Sequence, residues 1–252
     1  MSDIVIVSVV RNWGIYDKLV RTNANCKGAE FVSIDNCVTN KPIPVRYNEF
    51  LDSYNYSHDA WFIFCHEDFE FLEDPHVLLR NKDMNVLYGP IGHIRVGVLG
   101  FGVQSTRGSI KLMRKNDTSF HTWVIGHSVS RPTLVDTFDC CCIIVHSSLV
   151  RKHGLRFDEC LEFDMYVEDF CAAAIEYHRI PSYVIQMDAC HHSDAVATER
   201  LWRHLPYLEE KYKRRYFTGT LTYFGTPNWQ KRLQDFIVSH FRKLFYKCLS
   251  VQ

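Results

Sequence analysis

The stretch Ala60-Trp61-Phe62-Ile63-Phe64-Cys65-His66-Glu67-Asp68-Phe69-Glu70-Phe71 decides how the rest of the chain reads. The unbroken apolar run from Trp61 to Cys65 is the pattern of a strand buried on both faces, as in a parallel sheet. It stops abruptly at His66, Glu67 and Asp68, with Glu70 close behind. Polar groups at the carboxyl end of such a strand stand where open α/β sheets bind their ligands. A carboxylate there can hold a divalent cation against a phosphate group. The same residues also suit a strand that simply ends in a polar turn.

Upstream, Asp3 to Val10 is a β-rich run broken by Arg11-Asn12-Trp13-Gly14. Ile15 to Thr22 reads as helical, and Glu30 to Ile34 as a second short strand ending at Asp35-Asn36. After the loop at Pro42-Ile43-Pro44, residues Tyr47, Phe50, Leu51 and Tyr54 recur at helical spacing, which predicts a helix over Val45 to Tyr54. The first 70 or so residues therefore read β-α-β-α-β, the pattern of a parallel sheet with right-handed crossovers.

Downstream, Asp74-Pro75 is a helix start within a segment running to Arg80, and Asn85 to Tyr88 is a strand. Val96 to Gly102 reads as a further strand; its glycines lack the spacing of a dinucleotide fingerprint. Residues 103 to 132 read as irregular and polar, either a substrate loop or a surface insertion. Leu134 to Val145 is a strand region, Ser147 to His153 a short helix closed by Gly154, Val167 to His178 a helix, and Tyr183 to Gln186 a strand. Ala195 to Arg215 reads as an amphipathic helix kinked or split at Pro206. From Asn228 to Leu249, apolar residues recur at helical spacing among basic ones, which suits a membrane-surface helix or one packed on protein.

The chain has 252 residues, of which 46% are apolar, enough for one large domain with a sizeable core. The expected division is a domain over 1–215 and a basic helical tail over 216–252. Formal net charge is zero, so nothing points to nucleic acid. Met1 to Val7 lacks a basic n-region and reads as a first strand, not a signal peptide. No apolar run approaches the roughly 18 residues of a membrane span. Ten cysteines without a Cys-x-x-Cys pair, three of them consecutive at Cys140, Cys141 and Cys142, suit buried thiols in a reducing, cytoplasmic compartment.

Three polar clusters follow strands or open a helix: His66-Glu67-Asp68, Glu168-Asp169 and His191-His192. In order, they and their surroundings resemble the family 2 glycosyltransferases of GT-A fold, closest to the branch with the streptomycin-biosynthesis-type domains. The resemblance runs over about residues 3 to 195. It is carried by Tyr47-Asn48-Glu49, Phe64-Cys65-His66-Glu67-Asp68-Phe69 (a variant of the Asp-x-Asp motif), Val96 to Gly100, Asp139 to Val145, Leu155 to Glu159, Tyr166 to Cys171, and His191-His192-Ser193. Departures are His66 for the usual first acid, Glu67 in the middle position, and Cys140 for a glycine.

The resemblance implies an α/β GT-A-like domain with a mostly parallel central sheet flanked by helices and a C-terminal helical extension. It implies transfer of a sugar from a nucleotide-sugar donor, UDP- or dTDP-linked, to a glycan or lipid-linked acceptor hydroxyl, with Mn²⁺ or Mg²⁺. Carried over by residue, Asp68 binds the cation, and His191 or His192 adds a metal or diphosphate contact. Asp35, Asn36, Val9, Asn48 and Glu67 contact the donor, and Glu168 or Asp169 is the base. One base without a second nucleophile implies inversion at the anomeric carbon. The tail would dock the enzyme on the cytoplasmic membrane face. Competing readings are a nucleotide-sugar-binding or scaffolding protein that has lost catalysis, and a metal-dependent phosphoesterase built on His66, Asp68, His191, His192 and Asp194.

Overall fold

The computed structural model describes residues 3–98, 101–115, 120–193, 199–213 and 215–225. The amphipathic pattern from Asn228 to Leu249 lies outside these residues. The chain opens with β1 (Asp3–Val10), a short helix α1 (Trp13–Tyr16) that runs on into π-helical turns at Asp17–Arg21, β2 (Glu30–Asp35), α2 (Ile43–Ser53) and β3 (Ala60–Cys65). β1 lies between β2 and β3, parallel to both.

Alternation along these strands explains the layering. In β1, Val5, Val7 and Val9 face one core with Tyr47, Phe50 and Leu51 of α2, while Ile4, Ile6 and Val10 face a second core with Tyr16, Leu19 and Val20. In β3, Phe62 and Phe64 join the first core, and Trp61, Ile63 and Cys65 the second. Side chains on a strand point alternately to opposite faces, so an unbroken apolar run requires cover on both sides. Each buried side chain of this size contributes roughly 1.5–3 kcal/mol.

Next come β4 (Phe69–Phe71), α3 (Pro75–Leu79, capped by Asp74), β5 (Leu87–Gly89), β6 (Ile91–Val98), β7 (Phe101–Lys115) and β8 (Phe120–His127). Two sequence expectations are corrected here. Val98 pairs with Phe101, so Val96 to Gly102 is the tip of a β6–β7 hairpin, not one strand. Residues 103 to 132 are not an irregular loop, because most belong to β7 and β8, a long antiparallel ribbon. Gly108 is its pivot, pairing with Ile91 on one side and His127 on the other at φ +73°. A Cβ there would come within 2.1 Å of the Pro90 carbonyl oxygen.

The remaining elements are β9 (Thr133–Val135), β10 (Thr137–Phe138), β11 (Cys142–His146), α4 (Ser147–His153), α5 (Tyr166–His178), β12 (Ser182–Val184), β13 (Ala189–His191), α6 (Glu199–Lys211), β14 (Phe217–Thr218) and β15 (Tyr223–Phe224). Helix α6 continues through Pro206 and does not split there. The central sheet has the order β2-β1-β3-β11-β5-β12-β9. It is an α/β sheet flanked by helices, but its parallel pairs are confined to β2-β1-β3 and β5-β12, because β11 and β9 run antiparallel to their neighbours. The second sheet has the order β10-β6-β7-β13-β4, with β8 on β7. Since β4 follows β3 after a three-residue turn, the second sheet starts where β3 ends.

The β14–β15 hairpin packs on the body of the domain. Phe217 and Phe224 are buried and stacked 5.5 Å apart, and Thr137 Oγ1 donates to the Thr218 carbonyl at 2.5 Å. Among the described residues, no helix is long and apolar enough to cross a membrane.

Candidate functional site

A cavity of about 570 Å³ opens at the carboxyl ends of β1 and β3. The turn after β3 forms its floor. The His66 amide donates to the Cys141 carbonyl at 3.1 Å, and the Phe69 amide returns to the His66 carbonyl at 3.2 Å. This bend aims the Asp68 carboxylate toward His191, which β13 brings alongside β4. His191 Nε2 stands 3.2 Å from Asp68 Oδ1 and 3.4 Å from His66 Nδ1. Asp68 Oδ1 is buried yet meets no well-formed hydrogen bond.

Tyr166, the first residue of α5, orients His66. Its hydroxyl donates to the Cys140 carbonyl at 2.9 Å and lies 3.0 Å from His66 Nε2. The hydroxyl proton is thus committed, which assigns the imidazole proton to Nε2 and leaves the Nδ1 lone pair facing His191 and Asp68. Phe163 stacks on the ring at 5.4 Å. Burial, with His191 nearby, pushes His66 down to about 4, so it is neutral near pH 7. Burial opposes the charged form of His191 as well, but the Asp68 carboxylate outweighs it and the net shift is upward. Burial likewise opposes the Asp68 anion, and the histidines bring it below the ordinary carboxylate range.

One atom each from His66, Asp68 and His191 lies within 4.8 Å of the other two. A buried carboxylate oxygen without a hydrogen bond, between two imidazoles, fits a divalent cation better than it fits a closed ion pair. The donor set accommodates Mn²⁺ or Mg²⁺, and the two imidazoles favour the transition metal. Asp139, with His191 and Cys141, makes an overlapping group at the same place.

The two acids that open α5 part ways. Successive helical residues point about 100° apart. Glu168 turns into the cavity, 2% exposed, and accepts a hydrogen bond from the Cys140 thiol at 2.9 Å. Burial pushes it up to about 7. Asp169 turns away from the cavity, against α6. Lys211 Nζ reaches its oxygens at 2.8 and 3.0 Å, and the Tyr212 hydroxyl donates to it at 2.7 Å. Lys211 also binds Asp158 at 2.5 Å. Of the two candidate bases, Asp169 is the one outside the cavity lining, its carboxylate engaged in this network.

The expected donor contacts divide in the same way. Val9 and Asn36 line the cavity. The Asn36 amide fixes the loop over 36–41, donating to the Lys41 carbonyl and accepting from the Lys41 amide and the Thr39 hydroxyl. Glu67 also lines the cavity, but one of its oxygens is taken by the amides of Arg11 and Asn12 at 2.6 and 2.7 Å. It braces the turn after β1.

Three further expected site residues stand outside the cavity lining. Asn48 is outside the cavity, bonded to both the amide and the carbonyl of Phe157, where it ties α2 to the loop before α5. Asp35 caps its own turn through the Cys37 amide and does not line the cavity. His192 points the other way from His191 and pairs with Glu70 at 2.7 Å. Sequence reasoning missed Tyr166 and Cys140 as site residues, although both lie in motifs it singled out. It also missed Phe163 and Arg200, whose guanidinium lies 5.1 Å from the Phe163 ring, and no sequence pattern marks them.

No protein-family model and no curated protein matches the chain. Solved structures do. The crystal structure of GalNAc-T7 with UDP, GalNAc and Mn²⁺ superposes over 95% of this chain with a TM-score of 0.57 at 9% identity. The fold is of the GT-A type. At that identity the likeness speaks for the fold alone, and this chain spans 54% of the length of that structure. The structure of S. aureus TarS 1–349 aligns over 85% of this chain and 66% of its own, with a TM-score of 0.49 at 10% identity.

Proposed function

We propose that the chain is a divalent-cation-dependent glycosyltransferase that takes a nucleotide-sugar donor into the cavity and passes the sugar to an acceptor hydroxyl. The observation that carries this reading is the buried Asp68 Oδ1, 3.2 Å from His191 Nε2 without a well-formed hydrogen bond and with His66 beside it, at the carboxyl end of β3. These three residues would hold the cation, with Mn²⁺ preferred. When bound, the cation neutralises charge that develops on the departing diphosphate. Arg11, Lys41 and Arg200 line the same cavity and add positive charge for a diphosphate. The nucleoside would lie toward Val9 and Asn36, at the ends of β1 and β2.

Glu168 would take the acceptor proton. A carboxyl group held near pH 7 by burial accepts a proton more readily than an ordinary carboxylate while staying largely ionised just above neutrality. Cys140 donates a hydrogen bond to it and so favours the anion. With Glu168 as the base and no covalent step assigned to Asp139 or the other cavity acids, the reading is a single displacement with inversion. The acceptor we propose is a glycan or lipid-linked hydroxyl, approaching past the apolar wall of Ile110, Leu112 and Ile125.

The test is donor turnover by the purified full chain with UDP- and dTDP-sugars, with and without Mn²⁺. Metal-dependent turnover that disappears in Asp68→Ala is the expected result. Metal-dependent nucleotide binding without turnover would instead favour a binding protein of the same fold.

A further inference from the structure

His192 leaves the cavity cluster for a different set of partners, and that set is a donor constellation of its own. Strand β13 pairs antiparallel with β4, setting Cys190 opposite Glu70 and His191 opposite Phe69. It also pairs with β7, setting Cys190 opposite Lys111 and His191 opposite Leu112. Paired residues share a face, and neighbours along a strand do not. His191 and Leu112 line the cavity; Cys190, His192, Glu70 and Lys111 do not. The second sheet thus carries imidazole toward the cavity from His191, and thiol, imidazole and carboxylate toward its other face from Cys190, His192 and Glu70.

We infer that Glu70, Cys190 and His192 form a second metal site, for a zinc-like dication, on the sheet face turned away from the cavity. One donor atom from each residue lies within 4.8 Å of the other two, and His192 Nε2 is 2.7 Å from Glu70 Oε2. Tetrahedral zinc with one sulfur, one nitrogen and one oxygen ligand needs donor separations of roughly 3.3–3.7 Å. The carboxylate and imidazole must open by about half an ångström and the thiol must close in, movements within reach of side-chain rotation.

Several features favour such a site. Cys190 lies on β13, His192 follows that strand directly with its amide donating to the Asp68 carbonyl at 2.9 Å, and Glu70 lies on the strand hydrogen-bonded to β13, so the backbone already fixes the spacing. Lys111, the cation that could otherwise neutralise Glu70, is drawn to Asp188 at 2.7 Å. The side chains of His192 and Glu70 are 20% and 31% exposed, which gives an ion access and leaves the fourth position for water, while Cys190 is 3% exposed and shielded from other thiols. A thiol beside an imidazole and a carboxylate selects a borderline-soft cation over Mg²⁺ or Mn²⁺. On binding, the thiol proton passes to solvent and the sulfur bonds as thiolate.

Cobalt distinguishes this site from the cavity. Co²⁺ bound to a thiolate gives a charge-transfer band in the near ultraviolet, which the His66, Asp68, His191 set cannot produce. The full chain, stripped with chelator, is titrated with Co²⁺ and then with Zn²⁺ as competitor. The expected result is a thiolate band that saturates at one equivalent and is displaced by Zn²⁺. It persists in Asp68→Ala and in Cys141→Ser, and is lost in Cys190→Ser. His192→Gln and Glu70→Gln weaken binding by about tenfold or more. Thermal unfolding of each stripped variant verifies that it folds. Absence of the band in wild type, or a band that survives Cys190→Ser or follows Cys141→Ser, overturns the assignment. Neither result depends on glycosyl transfer.

Discussion

Glu168 and Asp169 are adjacent, both carboxylates, both nearly sealed from solvent, and both in the first turn of α5. One faces a cavity and accepts from the Cys140 thiol; the other faces α6 with a lysine and a tyrosine. The Glu168 side is an open polar site and the Asp169 side is a closed ion pair. The functional group is a carboxylate in both regions, so the difference in role comes from what each side chain meets. Burial raises both groups above the ordinary range, and at Asp169 it outweighs Lys211. Lys211, shared with Asp158, holds α6 against α5.

The comparison can be broken by substitutions that separate the two roles. The largest effect belongs to the cation ligand both depend on for context: Asp68→Ala abolishes metal-dependent turnover, a loss of at least about 10³-fold, with little change in melting temperature. Glu168→Gln lowers kcat by about 10²–10⁴-fold and leaves the affinity for nucleoside diphosphate and Mn²⁺ intact. Asp169→Asn does the opposite. It destabilises the fold by about 3 kcal/mol, read from chemical unfolding, and leaves kcat of the folded fraction within a few-fold. Equal losses of kcat in the two variants would erase the distinction.

Two smaller effects sharpen it. The rate should climb about tenfold per pH unit up to about 7 and level off above, because only the Glu168 anion accepts a proton. Stability carries the reverse sign. The folded protein raises Glu168 above its unfolded value of 4.5, so its contribution is fully present below that pH and is lost as pH rises through about 7. Glu168→Gln therefore melts a few degrees above wild type at about pH 8 and close to it at about pH 4.

How much of this was legible in the sequence varies by region. The apolar run before His66 marked β3 and its ligand-binding end, since a strand buried on both faces leaves a continuous hydrophobic signature. Asp68, His191 and the acid pair stood at the ends of recognisable elements. The choice between Glu168 and Asp169 was not legible, because it depends on Lys211 and Tyr212, more than forty residues away. The parting of His191 and His192 was hidden for a similar reason: adjacent residues at the end of a strand point to opposite faces, and Glu70 claims His192. Asn48 looked like a ligand contact and is a buried staple to Phe157. The β7–β8 ribbon escaped because Gln104 to Ser109 alternate polar residues with polar residues, leaving no apolar period to detect.

The most direct test is calorimetric titration of UDP and dTDP into the full chain, with Mn²⁺ and with chelator, for wild type and Asp68→Ala. The account predicts binding of one of the two that requires Mn²⁺ in wild type and is lost in Asp68→Ala. Binding that is equally tight in chelator, or unchanged by the substitution, would contradict it.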